Sequence, residues 1–331
     1  MAAADGISPS PRAGAPPQAA SLPPPDGQQG RRRPSGARWR PKGQHNSGDS
    51  VPLLYVVVLA VVQGITEFLP ISSSGHLELA WQLMDKAAVA LPDPSHRLIL
   101  FVAVHIGTLF AVLVYFWRDV AALALGLWRL ISLRGGTQSK LLINIVVATL
   151  PLVAAGYLLK DIALTTLYDI RVIAWTTIGF GVVLFLADRL GMTLRRVEHL
   201  NVAGALIIGL AQVLALIPGT SRSGITMSAA RILGYERVES ARISLLLAIP
   251  AILGAGALEG YELYRLGDLQ LGSDVALAAG LAFVSALVAI AAMMFWLRRA
   301  SFLPFVIYRL ALGGVLLWML HEGYFAGWAP S

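Results

Sequence analysis

The chain has 331 residues, of which 56% are hydrophobic and 14% charged, against about 25% charged residues in an average soluble domain, so a water-soluble globular protein is excluded. The formal net charge of +7 does not indicate nucleic-acid binding, because residues 1–50 hold seven Lys or Arg against three Asp and basic loops facing anionic lipid account for the rest. Cysteine is absent, which excludes disulfides, thiolate catalysis and Cys-ligated zinc.

Residues 1–50 contain half of the prolines of the chain and no apolar periodicity. They cannot bury enough apolar surface to offset chain entropy, so we predict a disordered tail. We also hypothesise that translation starts at Val51, since a valine codon can initiate in bacteria and the tail has the composition of translated GC-rich upstream DNA. No small-residue cleavage site follows the apolar run 51–62, so residues 51–331 are predicted to form the mature membrane domain.

The apolar segments divide into two kinds. Six are long enough to span a bilayer, which takes about 20 helical residues, and they cover about 98–117, 140–159, 171–187, 240–262, 275–296 and 303–321. Residues 51–84 and 201–234 are instead each divided by a proline, Pro70 or Pro218, followed by small polar residues. Irregular backbone at membrane depth persists only where it lines a cavity or is buried in protein, so these segments are predicted to be re-entrant helix pairs.

The two broken segments mark an internal repeat. Each carries a Gln six or seven residues before its proline, Gln63 or Gln212, and each precedes three candidate spans. Because three is odd, the second copy (200–321) is expected to be inverted relative to the first (51–190), with the two polar turns meeting near the bilayer midplane. The predicted fold class is therefore all-α integral membrane, with six transmembrane helices plus two re-entrant helix pairs in an inverted-topology repeat. Loop charges place the basic side in the cytoplasm.

The first polar turn predicts an anion site. Gln63 and Glu67 are four residues apart, so both project from one helix face. Glu67 and His76 lie in an apolar stretch, where a central charged side chain costs about 2.5–3.5 kcal/mol. The small residues between them are Ser72, Ser73, Ser74 and Gly75. A helix starting near Gly75 would direct its free N–H groups at the same point. The alternative is a simple kink in which the hydroxyls bond only the preceding turn.

The second turn adds a cation. Arg222 stands between Ser221 and Ser223, directly after Thr220 and ahead of a predicted helix. Its guanidinium offers planar, bidentate hydrogen bonding that suits phosphate, and its place at the turn disfavours the alternative of snorkelling to an interface. A carboxylate, an imidazole, hydroxyls, an arginine and two helix N-termini together are typical of a phosphoryl-transfer site.

These residues resemble a known family. Residues 63–76, Gln-Gly-Ile-Thr-Glu-Phe-Leu-Pro-Ile-Ser-Ser-Ser-Gly-His, closely resemble the first signature of bacterial undecaprenyl-diphosphate phosphatases of the bacitracin-resistance type. Residues 218–224, Pro-Gly-Thr-Ser-Arg-Ser-Gly, resemble the second. The similarity continues through 245–254 and 301–309 and covers roughly 51–320.

The resemblance implies hydrolysis of undecaprenyl diphosphate to the monophosphate carrier of cell-wall synthesis, at a periplasm-facing site in the bacterial inner membrane. It implies the catalytic residues Glu67, Ser73, His76 and Arg222, with Ser73 as nucleophile. We hypothesise that His76 or Glu67 accepts the Ser73 proton. The resemblance also implies phosphate-binding support from Gln63, Ser72, Ser74, Gly75, Thr220, Ser221 and Ser223. A divalent metal, Mg²⁺ or Ca²⁺, is expected on Glu67 with Gln63, although some members carry Glu where this chain has Gln63. The expected partners are an isoprenoid diphosphate lipid, the bilayer and a second copy in a homodimer.

A secondary transporter or flippase for a lipid phosphate or small anion is the alternative function, because broken helices in inverted repeats are also typical of transporters. Three further polar residues are left off the catalytic set. His105 and Asp119 are candidates for polar contacts near the first span, but a histidine in an apolar helix is more often a packing residue with its hydrogen bonds satisfied. Arg309 is predicted to be structural.

Overall fold

The computed structural model describes residues 52–87, 94–165, 167, 169–266 and 272–325. The predicted tail 1–50 and the hypothesised start at Val51 lie outside these residues. Within the described ranges the protein is all-helical, with no β-strand.

Eleven α-helices form in the described residues. They are α1 Leu53–Thr66, α2 Ser73–Lys86, α3 Pro94–Tyr115, α4 Trp117–Ile131, α5 Thr137–Thr165, α6 Ile170–Leu190, α7 Val202–Val213, α8 Arg222–Ile232, α9 Arg237–Leu266, α10 Ser273–Leu297 and α11 Leu303–His321. Six of them, α3, α5, α6, α9, α10 and α11, are long and apolar enough to cross a membrane. They coincide with the six predicted spans, which are confirmed to within a few residues at each end.

Side chains satisfy the backbone where several helices begin. The Asp169 carboxylate accepts a hydrogen bond from the Arg171 N–H at 2.6 Å at the start of α6. The Asn201 side chain accepts from the Gly204 N–H at 2.8 Å at the start of α7. Pro304 lies in the first turn of α11, where a missing N–H leaves no hydrogen bond unmade. These caps fix where the chain turns from loop into membrane helix.

Each of the two broken segments, 51–84 and 201–234, forms two short helices instead of one span. Pro70 lies between α1 and α2, and Pro218 lies between α8 and a short 3-10 helix that follows α7. Neither α1 nor the apolar stretch beginning with α7 reaches the length of a span. Ser72 and Ser221, each directly before the next helix, have left-handed backbone with φ of 75° and 71°. Such non-glycine residues cost about 1–3 kcal/mol and are concentrated at functional sites.

The second helix of the first pair begins earlier than predicted. α2 starts at Ser73, not near Gly75. Ser73 and Ser74 are therefore first-turn helix residues, and only Ser72 of the three serines belongs to the turn. This places the Ser73 hydroxyl on a rigid element.

Glycines let the broken segments pack closely against spans. A Cβ on Gly64 of α1 would lie 2.6 Å from the Ser285 Cβ on α10, and a Cβ on Gly209 of α7 would lie 2.5 Å from the Ala148 carbonyl oxygen on α5. α6 packs along α11, and α3 packs along α9 and α10. The turn residue Phe68 and nearly all of α8 are buried, so both polar turns lie inside the helix bundle.

Helix α4 was not predicted. Its large apolar side chains Trp117, Trp128 and Ile131 are exposed, whereas Arg118 and Arg129 lie on the same short helix. An exposed apolar face combined with basic residues is typical of a helix that lies in the membrane interface. Its 15 residues are too few to cross, which is why a search for spans did not find it.

Candidate active site

Glu67 is the residue at which the two polar turns meet. It follows the last residue of α1, and its N–H still donates to the Gln63 carbonyl oxygen at 3.0 Å. Its Oε2 accepts from the Ser73 hydroxyl at 2.8 Å, and its Oε1 accepts from Arg222 Nη2 at 3.0 Å. One carboxylate therefore joins the first turn of α2 to the first turn of α8, and three of the predicted catalytic residues are in contact.

Arg222 has one nitrogen in use and another without a partner. Its side chain is 15% exposed and that of Glu67 is 9% exposed, so the ion pair is mostly shielded from solvent. Nη1 is buried and has no hydrogen-bond partner among the described residues. Leaving a buried donor unpaired costs about 1–3 kcal/mol. This geometry suits a guanidinium that holds the carboxylate at one nitrogen and an anionic ligand at the other.

Gln63 and His105 extend the contacts of Glu67. Gln63, which is fully buried, has its Nε2 3.0 Å from Glu67 Oε2 and 3.0 Å from His105 Nε2. His105 Nδ1 donates to the Phe101 carbonyl oxygen at 2.8 Å, so in the neutral imidazole Nε2 accepts from Gln63. His105, a candidate for polar contacts that was left off the predicted catalytic set, thus has a direct contact with Gln63. An isolated histidine 29 residues beyond the first motif offered no spacing signal.

His76 lies close to the turn but does not contact the Ser73 hydroxyl. Its Nδ1 donates to the Ser72 carbonyl oxygen at 2.6 Å, and its Nε2 accepts from the Tyr308 hydroxyl at 2.6 Å. The two rings are stacked, with centroids 5.5 Å apart. Of the two residues considered as acceptors of the Ser73 proton, Glu67 alone is in hydrogen-bond contact with it. Tyr308 is a second residue of the site that motif reasoning did not identify.

The remaining serines form matched pairs at the two turns. Ser72 Oγ lies 3.3 Å from Ser74 Oγ, and Ser221 Oγ lies 3.1 Å from Ser223 Oγ. The Ser223 hydroxyl also donates to the Leu69 carbonyl oxygen at 2.9 Å, which ties the second turn to the first. Ser221 caps α8 by accepting from the Gly224 N–H. The hydroxyls of Ser221 and Ser223 thus hold the backbone of the turns in place.

Thr220 and Gly75 complete the predicted phosphate-binding set. Thr220 is fully buried, and its hydroxyl has no partner among the described residues. Gly75 is buried against Ile173, where a Cβ would lie 3.2 Å from the Ile173 side chain. Neither residue takes part in the hydrogen bonds of the Glu67 carboxylate, which join it to Gln63, Ser73 and Arg222.

Arg309 lies behind both turns and connects them. It is fully buried and donates to the carbonyl oxygens of Pro70 at 3.3 Å, Gly219 at 3.0 Å and Thr177 at 3.0 Å. Its charge is stabilised by these backbone carbonyl oxygens, two of which belong to the turns themselves. This geometry agrees with the structural role predicted for it.

Asp119 does not belong to the site. Asp119 of α4 forms an ion pair with Arg242 of α9 at 2.5 Å. Arg242 also approaches Glu239 at 3.4 Å and Glu198 at 3.8 Å. None of these groups contacts either polar turn, so this cluster is a separate structural contact.

The site offers few ligands to a divalent metal. Both Glu67 oxygens already accept hydrogen bonds, and Gln63 turns its N–H groups, not its carbonyl oxygen, toward Glu67. No group of three or more His, Asp or Glu side chains that could hold a metal occurs in the described ranges. Mg²⁺ and Ca²⁺ prefer several oxygen ligands. At this contact the described residues offer a metal the Glu67 carboxylate and Gln63 Oε1, which is buried without a hydrogen-bond partner.

Comparison with known proteins gives a consistent result. The family model described as "Bacitracin resistance protein BacA" matches residues 56–315. The protein named Undecaprenyl-diphosphatase 1 of Rhodospirillum rubrum is 50% identical over 272 residues, which cover 82% of this chain and 96% of that relative. Undecaprenyl-diphosphatase of Ruegeria pomeroyi is 48% identical over 267 residues, 80% of this chain and 97% of the relative. Undecaprenyl-diphosphatase of Alteromonas mediterranea is 44% identical over 270 residues, which cover 81% of this chain and 98% of that relative.

Proposed function

The chain belongs to the BacA family of bacitracin resistance proteins, and we infer from this membership and from the site that it is an undecaprenyl-diphosphatase. It hydrolyses undecaprenyl diphosphate to undecaprenyl phosphate and inorganic phosphate, which regenerates the lipid carrier of cell-wall synthesis and confers bacitracin resistance. The observation that carries the chemistry is the Glu67 carboxylate, hydrogen-bonded to the Ser73 hydroxyl and paired with Arg222.

The first chemical step transfers the terminal phosphoryl group to Ser73. The Ser73 oxygen forms a bond to the terminal phosphorus, and the anhydride bond to the lipid phosphate breaks. The Ser73 proton passes to Glu67 Oε2, which already lies 2.8 Å from the hydroxyl oxygen. A nucleophile held against its base by a short hydrogen bond is the arrangement that covalent catalysis requires.

Arg222 stabilises the charge that develops on the transferring group. Its unpaired Nη1 binds a phosphoryl oxygen while Nη2 remains on Glu67. Donors that are already oriented in a water-poor site stabilise a transition state without reorganising. The free N–H groups at the start of α2 and α8 add to the same positive environment.

The second step releases phosphate. Water forms a bond to the phosphorus of the phosphoserine, the bond between phosphorus and the Ser73 oxygen breaks, and Glu67 returns its proton to that oxygen. The water loses one proton to the phosphate or to solvent. The net reaction consumes one water and restores both side chains, so no further reactant is needed.

We also propose that the two broken segments are re-entrant pairs in an inverted repeat. Three features support this: the left-handed backbone at Ser72 and Ser221, the matched serine pairs, and a reciprocal packing pattern. In that pattern α1 of the first half packs against α10 of the second, and α7 of the second packs against α5 of the first. Such repeats place functional sites near the midplane.

The site is proposed to open toward the periplasm. Support comes from basic residues concentrated at the opposite ends of the spans, among them Arg189, Arg195, Arg196, Arg298 and Arg299. Single cysteines replacing Arg196 or Arg299 should resist an impermeant thiol reagent in intact cells, whereas one replacing Ser273 should react. The native lack of cysteine removes background labelling. The opposite labelling pattern would overturn this orientation.

The test of the function is phosphate release by the purified protein in detergent, where no compartments exist and transport alone yields no product. We expect inorganic phosphate from undecaprenyl diphosphate and from shorter isoprenoid diphosphates. Ser73→Ala should abolish release, while the matched control Ser273→Ala, at the exposed start of α10, should not change it. A parent protein that binds the lipid but releases no phosphate would favour a transporter or flippase.

Two expectations stay predictions. Dependence on Mg²⁺ or Ca²⁺ is tested by measuring phosphate release after chelation and after readdition of each ion. Since the protein offers one carboxylate at the Ser73 contact, we expect any such ion to need oxygens of the substrate diphosphate as ligands. A homodimer is tested by measuring the mass of the protein in detergent with the contribution of the detergent subtracted.

A further inference from the structure

We propose that His105, on α3, is a positioning residue of the catalytic site that acts on Glu67 through the amide of Gln63. This inference rests on the proposed function, since it assigns Glu67 the role of base. Its evidence is a continuous series of hydrogen bonds from α3 to the nucleophile. His105 Nε2 accepts from Gln63 Nε2 at 3.0 Å, the same amide nitrogen donates to Glu67 Oε2 at 3.0 Å, and Glu67 Oε2 accepts from Ser73 at 2.8 Å.

The protonation of His105 follows from its second contact. Nδ1 lies 2.8 Å from the Phe101 carbonyl oxygen, which can only accept. Nδ1 therefore carries a hydrogen, and in the neutral imidazole Nε2 presents a lone pair to Gln63. The two hydrogens of the Gln63 amide are then shared between the imidazole and the carboxylate. A reversed amide would direct its oxygen at two acceptors at once, so His105 and Glu67 select the same orientation.

The helix holds His105 firmly in this place. Its ring packs against the Phe101 ring with centroids 4.2 Å apart. Thr108, which is fully buried, donates to the His105 carbonyl oxygen at 2.9 Å. One residue earlier, a Cβ on Gly107 would lie 2.2 Å from the Ala279 carbonyl oxygen, which shows how closely α3 and α10 approach. The imidazole is thus held in place on α3, a helix that lies outside both signature motifs.

The consequence concerns the precision of the Ser73 contact. Glu67 follows the end of α1, and its Oε2 must stay oriented toward the nucleophile in the absence of substrate. Gln63 is fully buried, so its second N–H would have no acceptor if His105 lacked the Nε2 lone pair. A nucleophile, its base and a third group that orients the base form a common catalytic arrangement. Here the orienting group is the Gln63 amide, and His105 fixes that amide.

The first experiment compares variants of His105 in the phosphate-release assay. His105→Leu removes the acceptor, and we expect kcat to fall about ten-fold with KM nearly unchanged, because the base and not substrate binding is disturbed. His105→Gln supplies a carbonyl oxygen that can accept from Gln63 and should restore kcat to within about three-fold of the parent. Thr149→Val is the control, since it removes a buried hydroxyl that bonds only the Ile145 carbonyl oxygen within α5, and it should leave kcat unchanged.

A double-mutant cycle tests whether His105 affects kcat through Gln63. If His105 acts through Gln63, then Gln63→Ala should reduce kcat and His105→Leu should have little further effect in that background. The proposal would be overturned if the two substitutions reduced kcat multiplicatively when combined. It would also be overturned if the kcat of His105→Leu stayed within about three-fold of that of the parent. A fall of more than about ten-fold in His105→Gln would overturn it even if His105→Leu does not fold. If the parent enzyme itself released no phosphate, the proposed function would fail instead, so the two failures are distinguishable.

Discussion

Replacing Glu67 by Gln removes the negative charge of the carboxylate while keeping the shape of the side chain. The carboxylate accepts three hydrogen bonds, from Gln63, Ser73 and Arg222. The amide has a single acceptor oxygen, and if that oxygen remains on Arg222, the new NH₂ group faces the Gln63 Nε2 donor. The Ser73 hydroxyl must then accept where it previously donated. The variant therefore loses the contact that prepares the nucleophile.

The structure sets the expected magnitudes. Loss of a positioned base typically costs about 10²-fold or more, so kcat should fall at least about a hundred-fold. One donor facing another in a buried site costs about 1–3 kcal/mol, so the free energy of unfolding should fall by about that amount while the protein stays folded. KM should change little, because Arg222 keeps its charge and its unpaired nitrogen.

The assay measures inorganic phosphate released from an isoprenoid diphosphate by purified variants, with thermal melting in the same detergent. Asp119→Asn is the matched control, because it also removes a carboxylate from an arginine ion pair, here with Arg242, but away from both turns. It should keep the kcat of the parent. A Glu67→Gln enzyme with kcat within about three-fold of the parent would refute the assignment of Glu67 as the base.

Three other changes test the remaining contacts. Arg222→Lys keeps the positive charge, but the single lysine nitrogen cannot hold Glu67 and a phosphoryl oxygen together. The value of kcat/KM should therefore fall at least about a hundred-fold, and a near-normal value would contradict the bidentate role of Arg222. Tyr308→Phe keeps the ring stacked on His76 but removes their hydrogen bond, and kcat should fall about three- to ten-fold; no change would exclude Tyr308 from the site. Arg309→Met removes the charged hydrogen bonds that join the Pro70 and Gly219 carbonyl oxygens of the two turns, so melting should show a loss of more than about 3 kcal/mol, and unaltered stability would contradict its structural role.

The sequence alone determined the class of the protein and the chemistry of its motifs. The six spans are readable because a bilayer demands about 20 apolar residues per helix, a requirement that holds whatever the neighbouring helices are. Glu67 and Arg222 are likewise readable, since charged residues in apolar segments are costly and rarely incidental. Local signals of this kind do not depend on which helices pack together.

Only the tertiary structure decided which groups contact each other. The choice between His76 and Glu67 as the acceptor of the Ser73 proton depended on where Tyr308 of α11 lies, since that hydroxyl occupies His76 Nε2. The contact of His105 with Gln63 joins residues 42 positions apart. No periodicity or spacing within either motif encodes these distances, because they are set by how α3 and α11 pack around the two turns. Motif chemistry is local in the chain, whereas the orientation of a base is a property of the packed bundle.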